Sequence, residues 1–400
     1  MANLGTSTLL IALLLNVYCI SMAFFGAKKD LRSAVLSARN ANYLVTFSLL
    51  IAVCVLVAAF LQHDFSIIYV AEHSNLAMPR IYTWVAFYAG NEGSLLFVAF
   101  ALSLMSSISL SMIPRRVGVL SPYTNGVISV IILFFIVVLI SLANPFSAQD
   151  LIPVDGKGIN PLLTHPGMFI HPPMIMTGLI SISVPFSLAM AGLISGQIND
   201  DWVDIGRVWG LVAWVLLAIG LLLGSWWAYT ILGWGGYWAW DPVENAAFMP
   251  WLGLTAFIHS IMVQKRRGMF RMWNIALINI SFALGAFGIF INRGGPVPSV
   301  HSFGASTLGW VFLLFLAVST IISFGLFFYR MSLLKGSTSL ESALSRETAF
   351  LVNNLFLLAI AFFTLWGVVF PIISEITTGE TITVGEPYYN QVNGPLMLGL

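Results

Sequence analysis

The sequence predicts an all-α, polytopic membrane protein of about ten to eleven transmembrane helices, a single transmembrane domain over residues 1–400 with its N-terminus outside. Two observations carry the class. Hydrophobic residues make up 58% of the chain and charged residues only 8%, and apolar stretches long enough to cross a bilayer recur from end to end. A third observation sets the orientation: with the N-terminus outside, all but Arg80, Lys157 and Arg293 of the 17 basic residues fall on the inner side, as the positive-inside bias requires.

The first span, near 7–27, has no basic residue before it and is followed by Lys28 and Lys29. It therefore reads as an uncleaved anchor rather than a signal peptide. A second span is expected near 41–61. The third, 81–113, is longer than a bilayer needs and is expected to include a half-exposed approach segment. Spans near 123–143 and 174–194 follow, the latter opened by His171-Pro172-Pro173, because proline suits a first helical turn. The span at 207–228 runs into an aromatic segment. The next, 246–264, has Asp241 suited to its N-cap and Pro242 to its first turn. Spans near 272–291, 305–329 and 348–371 complete the ten. An eleventh is expected to begin at Pro395 and to be cut off after Leu400, as in the N-terminal part of a longer protein. The outer loop before it, 372–394, carries Glu375, Glu380 and Glu386 and a Thr381-Ile382-Thr383-Val384 stretch. That loop reads as a solvated connector or docking surface with a short surface strand.

Composition excludes several functions. A net charge of +1 without a dense basic patch argues against nucleic acid. The two cysteines, Cys19 and Cys54, lie inside predicted spans and no CxxC occurs, so any thiol chemistry must use a partner's sulfur. A glycine-rich phosphate loop of the GxxxxGK type is also missing.

The most informative segment is WWAYTILGWGGYWAWDPVENAAFMPW, 226–251, which holds Trp226, Trp227, Trp234, Trp238, Trp240 and Trp251. Indoles offer large rigid faces with one polar N–H each, which suits a bilayer boundary and equally a planar ligand with an apolar body and charged edges. Haem is the leading candidate. Gly233, Gly235 and Gly236 let the backbone turn and lie near a flat ligand. Asp241 and Glu244 have two readings: structural groups of the following helix start, or groups that order the loop around histidines and ligand.

Neutral imidazole is the usual nitrogen ligand of haem iron. His171 and His301 fall on the predicted outer face, one before and one after the tryptophan segment, and topology permits their convergence; the alternative is a pair of interfacial histidines bonded to loop backbone. His259 lies eight residues beyond Trp251, about 12 Å deeper along a helix. It is a candidate membrane-haem ligand or else a neutral bridge between helices. Arg293 and Arg80 are outer guanidiniums that match either a haem propionate or a lipid headgroup. Glu92, near the outer end of the third span, requires a partner or water, and His165 has no role assigned by its surroundings.

The run Gly-Trp-Gly-Gly-Tyr-Trp-Ala-Trp-Asp-Pro-Val-Glu-Asn-Ala-Ala-Phe-Met-Pro-Trp, from Gly233 to Trp251, resembles the CcmF/NrfE family of haem lyase subunits of bacterial cytochrome c maturation. Its ending, Phe248-Met249-Pro250-Trp251, is more particular to that family than the tryptophans shared with CcmC and CcsA. Glu92-Gly-Ser, His171-Pro-Pro, Ile258-His259-Ser260 and Val300-His301 agree as well, and the likeness runs over essentially all 400 residues. The resemblance implies that His171 and His301 ligate the iron of an external haem awaiting attachment. It also implies that His259 is one of two ligands of a separate membrane haem b, the second lying in a portion beyond residue 400.

Function and location follow from the same resemblance. The expected activity is receipt of haem from a periplasmic chaperone resembling CcmE and its presentation to the CxxCH cysteines of apocytochrome c. The expected setting is the bacterial inner membrane, with the haem site on the periplasmic face, with CcmH and CcmI as partner subunits and with quinol as an electron source. Trp226, Trp227, Trp234, Trp238, Trp240, Asp241 and Glu244 would position the haem, with Trp251 and Arg293 in contact with it. No acid or base from the chain is expected. The rivals are a haem transporter of the CcmC type and a b-type cytochrome working only in electron transfer. The second is disfavoured because only one histidine lies in a span interior.

Overall fold

The computed structural model describes all residues except 114–117, 198–199, 234, 295–296, 298, 300–305, 335–341 and 343, together with the side chain of Asp201. Ten helices among the described residues are long and apolar enough to cross a membrane. No strand occurs among them, only one isolated bridge between Ile67 and Ala148. The chain divides into two compact units, Met1–Ser187 and Leu188–Leu400.

The first unit begins with a hairpin of α1 (Ala2–Lys29) and α2 (Arg32–Leu61). Its seam is lined by Ala12, Cys19, Ala23, Ala34, Ala38 and Ala41, all buried. Where hydrocarbon surrounds the bundle, tight van der Waals contact between small residues is what favours helix association. The hairpin closes through Asp30 in the left-handed region, φ 53°. Gly26 lies so near the start of α2 that a Cβ there would stand 2.9 Å from the Val35 backbone nitrogen.

Short helices α3 (Ile68–His73) and α4 (Thr83–Phe87) precede α5 (Asn91–Met112) and α6 (Leu120–Ser141). The long third span expected from the sequence is thus a 3-10 turn at Arg80–Tyr82, then α4, then a membrane helix that starts at Asn91. Glu92 sits in the first turn of α5, where the helix dipole favours a carboxylate. Buried and half-buried polar side chains link the helices: Asn16 Nδ2 donates to the Ser129 carbonyl at 2.9 Å, Asn42 Nδ2 to Ser106 Oγ at 3.0 Å, and the Thr46 and Ser103 hydroxyls meet at 2.7 Å. Helix α7 (His171–Ser181) follows, and the unit boundary falls inside α8 (Ser183–Ser195).

In the second unit, α10 (Pro242–Arg267) packs against α9 (Val203–Ile231), α11 (Arg271–Asn292) and α13 (Arg346–Thr378). The charged ends of these helices are paired. Arg271 meets Asp200 at 2.6 Å, Lys265 meets Asp204 at 2.5 Å, and Arg267 meets Glu347 at 3.0 Å. Gln264 Nε2 also donates to Asp200 at 2.8 Å. Burial raises the pKa of Asp200, but the bonds from Arg271 and Gln264 and the Arg271 charge outweigh it and hold the carboxyl below its ordinary range. Helix α12 (Leu308–Arg330) packs on α11 and leaves a broad apolar side outward, with Trp310 and Ile321 more than 70% exposed.

The C-terminal stretch departs from expectation. Helix α13 accommodates Pro371 and continues to Thr378, the Thr381–Val384 stretch forms no strand, and α14 (Glu386–Gly399) begins nine residues before Pro395 and contains it. Pro387 in its first turn gives the helix a favourable start, a signal outweighed in the sequence by the surrounding polar residues.

Candidate functional site

The tryptophan segment joins α9 to α10. Trp226 is exposed and Trp227 buried in the last turns of α9, and Trp234 lies outside the described residues. Gly235 turns the chain at φ +75°, with nothing near the position of its absent Cβ. Tyr237 then stacks on Tyr229 at 4.2 Å and 8° between planes, returning the chain to the end of α9.

The start of α10 is a capping box. Asp241 accepts from the Val243 N–H at 3.0 Å, while Glu244 reaches back to accept from the N–H groups of Asp241 at 3.2 Å and Ala239 at 3.0 Å. The structural reading of both carboxylates is therefore realised. A further bond ties a distant loop to this cap: Ser299 Oγ donates to Asp241 Oδ2 at 2.6 Å. His301 is two residues beyond Ser299 and lies outside the described residues.

Rings gather around the cap. Trp238 and Trp240 meet edge-to-face at 6.0 Å, and each meets Phe248 in the same manner, at 5.7 and 6.2 Å. Phe248 stacks on Trp251 one turn along α10, at 6.1 Å, and Trp251 stacks on Trp214 of α9 at 5.4 Å. Trp214 is fixed by its own N–H, which donates to Thr255 Oγ1 at 2.8 Å. From the other side Tyr389 of α14 lies nearly parallel to Trp240 at 4.9 Å. Trp238, Trp240 and Trp251 are half-buried, so the assembly is a continuous aromatic shelf with part of its surface open.

Pro250 lies inside α10 and cannot donate the hydrogen bond that would satisfy the Ala246 carbonyl. Helix α11 comes close at that point: a Cβ on Gly288 would stand 2.8 Å from the Ala246 oxygen. Helix α11 thus makes its close approach, at a glycine, to the turn of α10 that Pro250 interrupts.

His259 is two turns deeper on α10 and half-buried. Its Nδ1 lies 3.2 Å from Asn353 Nδ2 of α13, and its ring is 6.0 Å from Phe350. The structure therefore realises the bridge between helices that the sequence left open, while the other ring nitrogen takes no part in that contact. Arg293, expected near the outer surface, is 3% exposed at the C-terminus of α11. It is enclosed by protein, a departure from the open position that both the propionate and the lipid-headgroup readings assumed.

His171 belongs to the first unit, where it opens α7 and is half-buried. The turn before it, Pro166–Phe169, is held by three contacts. His165 Nδ1 accepts from the Gly167 N–H at 3.0 Å, which gives that histidine its role as a cap, and Trp84 Nε1 donates to the Phe169 carbonyl at 3.1 Å. Tyr88 donates its hydroxyl to the Met168 carbonyl, and burial raises its pKa, so that proton is retained. Arg80 stands at the start of the 3-10 turn before α4 and is exposed.

Sequence reasoning missed Trp214, Phe248, Ser299, Asn353, Tyr389 and Asn390. Phe248 and Trp251 could have been found by their i, i+3 spacing. No local signal marks Ser299 or the two residues of α14.

A family model described as cytochrome C assembly protein matches residues 88–294. The chain is 40% identical over 408 residues to the cytochrome c-type biogenesis protein CcmF of Pseudomonas aeruginosa, covering all of this chain and 61% of that protein. It is 33% identical over 404 residues to the cytochrome c-type biogenesis protein NrfE of Haemophilus influenzae, covering all of this chain and 63% of the other. A solved structure of the cytochrome c heme lyase CcmF superposes with a TM-score of 0.83 at 32% identity, over 100% of this chain and 60% of that one. The chain thus spans about three fifths of the length of these relatives. With the family model matching more than half of its residues, the chain belongs to the cytochrome c assembly protein family and resembles its CcmF and NrfE members from end to end.

Proposed function

We propose that the protein is a haem lyase subunit of cytochrome c maturation, working at the periplasmic face of the inner membrane with its N-terminus outside. The observation that carries this reading is the half-open shelf of Trp238, Trp240, Phe248 and Trp251, a surface built for a flat apolar substrate. Haem delivered by a chaperone resembling CcmE would lie against this shelf, with His171 and His301 as its iron ligands. Trp226, Trp227 and Trp234 would flank it. Asp241 and Glu244 act by holding the cap beneath Trp240.

The bond-forming step needs no acid or base from this chain. Each CxxCH thiol of a reduced apocytochrome c adds across one vinyl double bond, the sulfur to one carbon and the hydrogen to the other, so nothing leaves and no oxidant is consumed. The contribution of the chain is orientation, which in favourable cases supplies on the order of 7 kcal/mol. Subunits resembling CcmH and CcmI would deliver the apocytochrome.

His259 fits a resident membrane haem b by its chemistry. One ring nitrogen is engaged by the Asn353 amide, and turning that amide end for end lets its oxygen accept from Nδ1–H, leaving the Nε2 lone pair for iron. When bound, that haem would supply electrons drawn from quinol. The chain's own part is to fix the imidazole between α10 and α13.

Reconstitution of the full chain and its partner subunits with haem-loaded chaperone and reduced apocytochrome tests the assignment. The expected result is a covalent cytochrome, read from the haem absorption that survives denaturation and acid extraction. Haem uptake with no thioether product would replace the lyase reading with that of a transporter.

A further inference from the structure

We propose that Tyr389 and Asn390 of α14 are positioning residues that clamp the Trp240 indole, so that a planar substrate can stack only on the face turned away from Tyr389. The inference rests on the haem reading above and deepens it. Its starting point is the backbone of Trp240, at φ +56°. A bulky aromatic residue rarely adopts that region, and such a conformation persists only where its surroundings over-determine it.

Three contacts do so. Tyr389 covers one indole face, with ring centres 4.9 Å apart and planes within 8°. Asn390 Oδ1 accepts the indole N–H at 3.0 Å. Asn245, in the first turn of α10, donates its Nδ2–H to the Trp240 carbonyl at 2.8 Å. The ring, its polar edge and its backbone are thus held by separate partners, two of them on α14.

The clamp is itself anchored. Tyr389 is 2% exposed, and its hydroxyl lies so close to Gly367 of α13 that a Cβ there would approach within 2.6 Å. Asn393 Nδ2 donates to Thr364 Oγ1 at 3.1 Å, and the Tyr388 hydroxyl to the Phe363 carbonyl at 3.1 Å. Positional information therefore passes from α13 through α14 to Trp240. Because Asn390 takes the indole N–H, a ligand at Trp240 is recognised by stacking rather than by that donor, which suits an apolar macrocycle. Both clamp residues lie outside residues 88–294, the stretch matched by the family model.

The test uses the full chain in nanodiscs, labelled with 5-fluorotryptophan, with the Trp240 resonance identified by its loss in Trp240→Phe. Without haem, Tyr389→Leu and, separately, Asn390→Leu are expected to shift that resonance, while Tyr389→Phe, which keeps the stacked ring, shifts it less. In haemin titrations, Tyr389→Leu is expected to weaken binding about fivefold and Tyr389→Phe to weaken it less. In a Trp240→Leu background, Tyr389→Leu should add no further loss. An unmoved Trp240 resonance in both leucine variants overturns the clamp. So does an equal loss in both backgrounds, which is what general loosening of α14 would give. If the parent chain takes up no haemin, the functional reading fails, and the fluorine shift still decides whether the clamp exists.

Discussion

The α1–α2 hairpin and the α9–α10 connection are two solutions to packing in one chain, and they differ in what they leave over. The hairpin closes with alanines, a cysteine and a glycine, all buried, so its contact surface is used up by its own fold. The α9–α10 connection gathers six large rings, holds one of them at positive φ, and leaves all four of its indoles only half-buried. Small residues make a seam. Large rings held in place against local preference make a surface for something else.

The strongest way to break this comparison is to exchange the consequences. Trp240→Leu should weaken haemin binding about tenfold through the loss of a stacking face. Gly26→Ala should lower stability by about 1–3 kcal/mol because its Cβ must displace backbone of α2, while haemin affinity holds. Parallel unfolding scans and Soret titrations on both variants check the pair, and an equal loss of haemin affinity in the two would erase the distinction.

Beneath the shelf, Gly288→Ala sharpens the comparison, since its new methyl would meet the Ala246 carbonyl, which gets no hydrogen bond from Pro250. A destabilisation of about 1–3 kcal/mol is expected. Haemin affinity should fall as well, because the first turns of α10 carry the ring cluster. Asp241→Ala removes the cap and the bond from Ser299. About 1 kcal/mol of stability should be lost, and hydrogen exchange should quicken at Val243.

Much of this was legible beforehand and for definite reasons. The ten spans were readable because hydrocarbon demands long apolar runs, and the cap at Asp241, Pro242 and Glu244 because the signals for a helix start lie within four residues. The ring cluster was recognisable from composition alone, but its arrangement was not. Trp214 and Tyr389 join it from α9 and α14, and side chains far apart in sequence carry no local mark of their meeting. The fate of Arg293 shows the same limit: proximity to a predicted boundary cannot distinguish a guanidinium in water from one enclosed by protein. His165 was unreadable because its role is a bond to a backbone N–H two residues on.

The smallest expected effect lies at the other end of the second unit. Asp200 has its pKa depressed by Arg271 and Gln264 against the cost of burial. Its contribution to stability is therefore present above the ordinary carboxylate range and lost as pH falls through the lowered value. Asp200→Asn should lower the thermal midpoint slightly near neutral pH and flatten its decline in acid, with haemin binding unchanged at neutral pH. Unfolding scans across that range check it.

The most direct test of the shelf compares a Trp238→Leu, Trp240→Leu double variant with Trp310→Leu, which removes an indole that is 72% exposed on α12 and, among the described residues, joins no ring cluster. In a Soret-monitored haemin titration the double variant should bind at least about tenfold more weakly than the parent, and Trp310→Leu should bind like the parent. Equal affinity for all three proteins would contradict the claim that the α9–α10 aromatic shelf receives the haem.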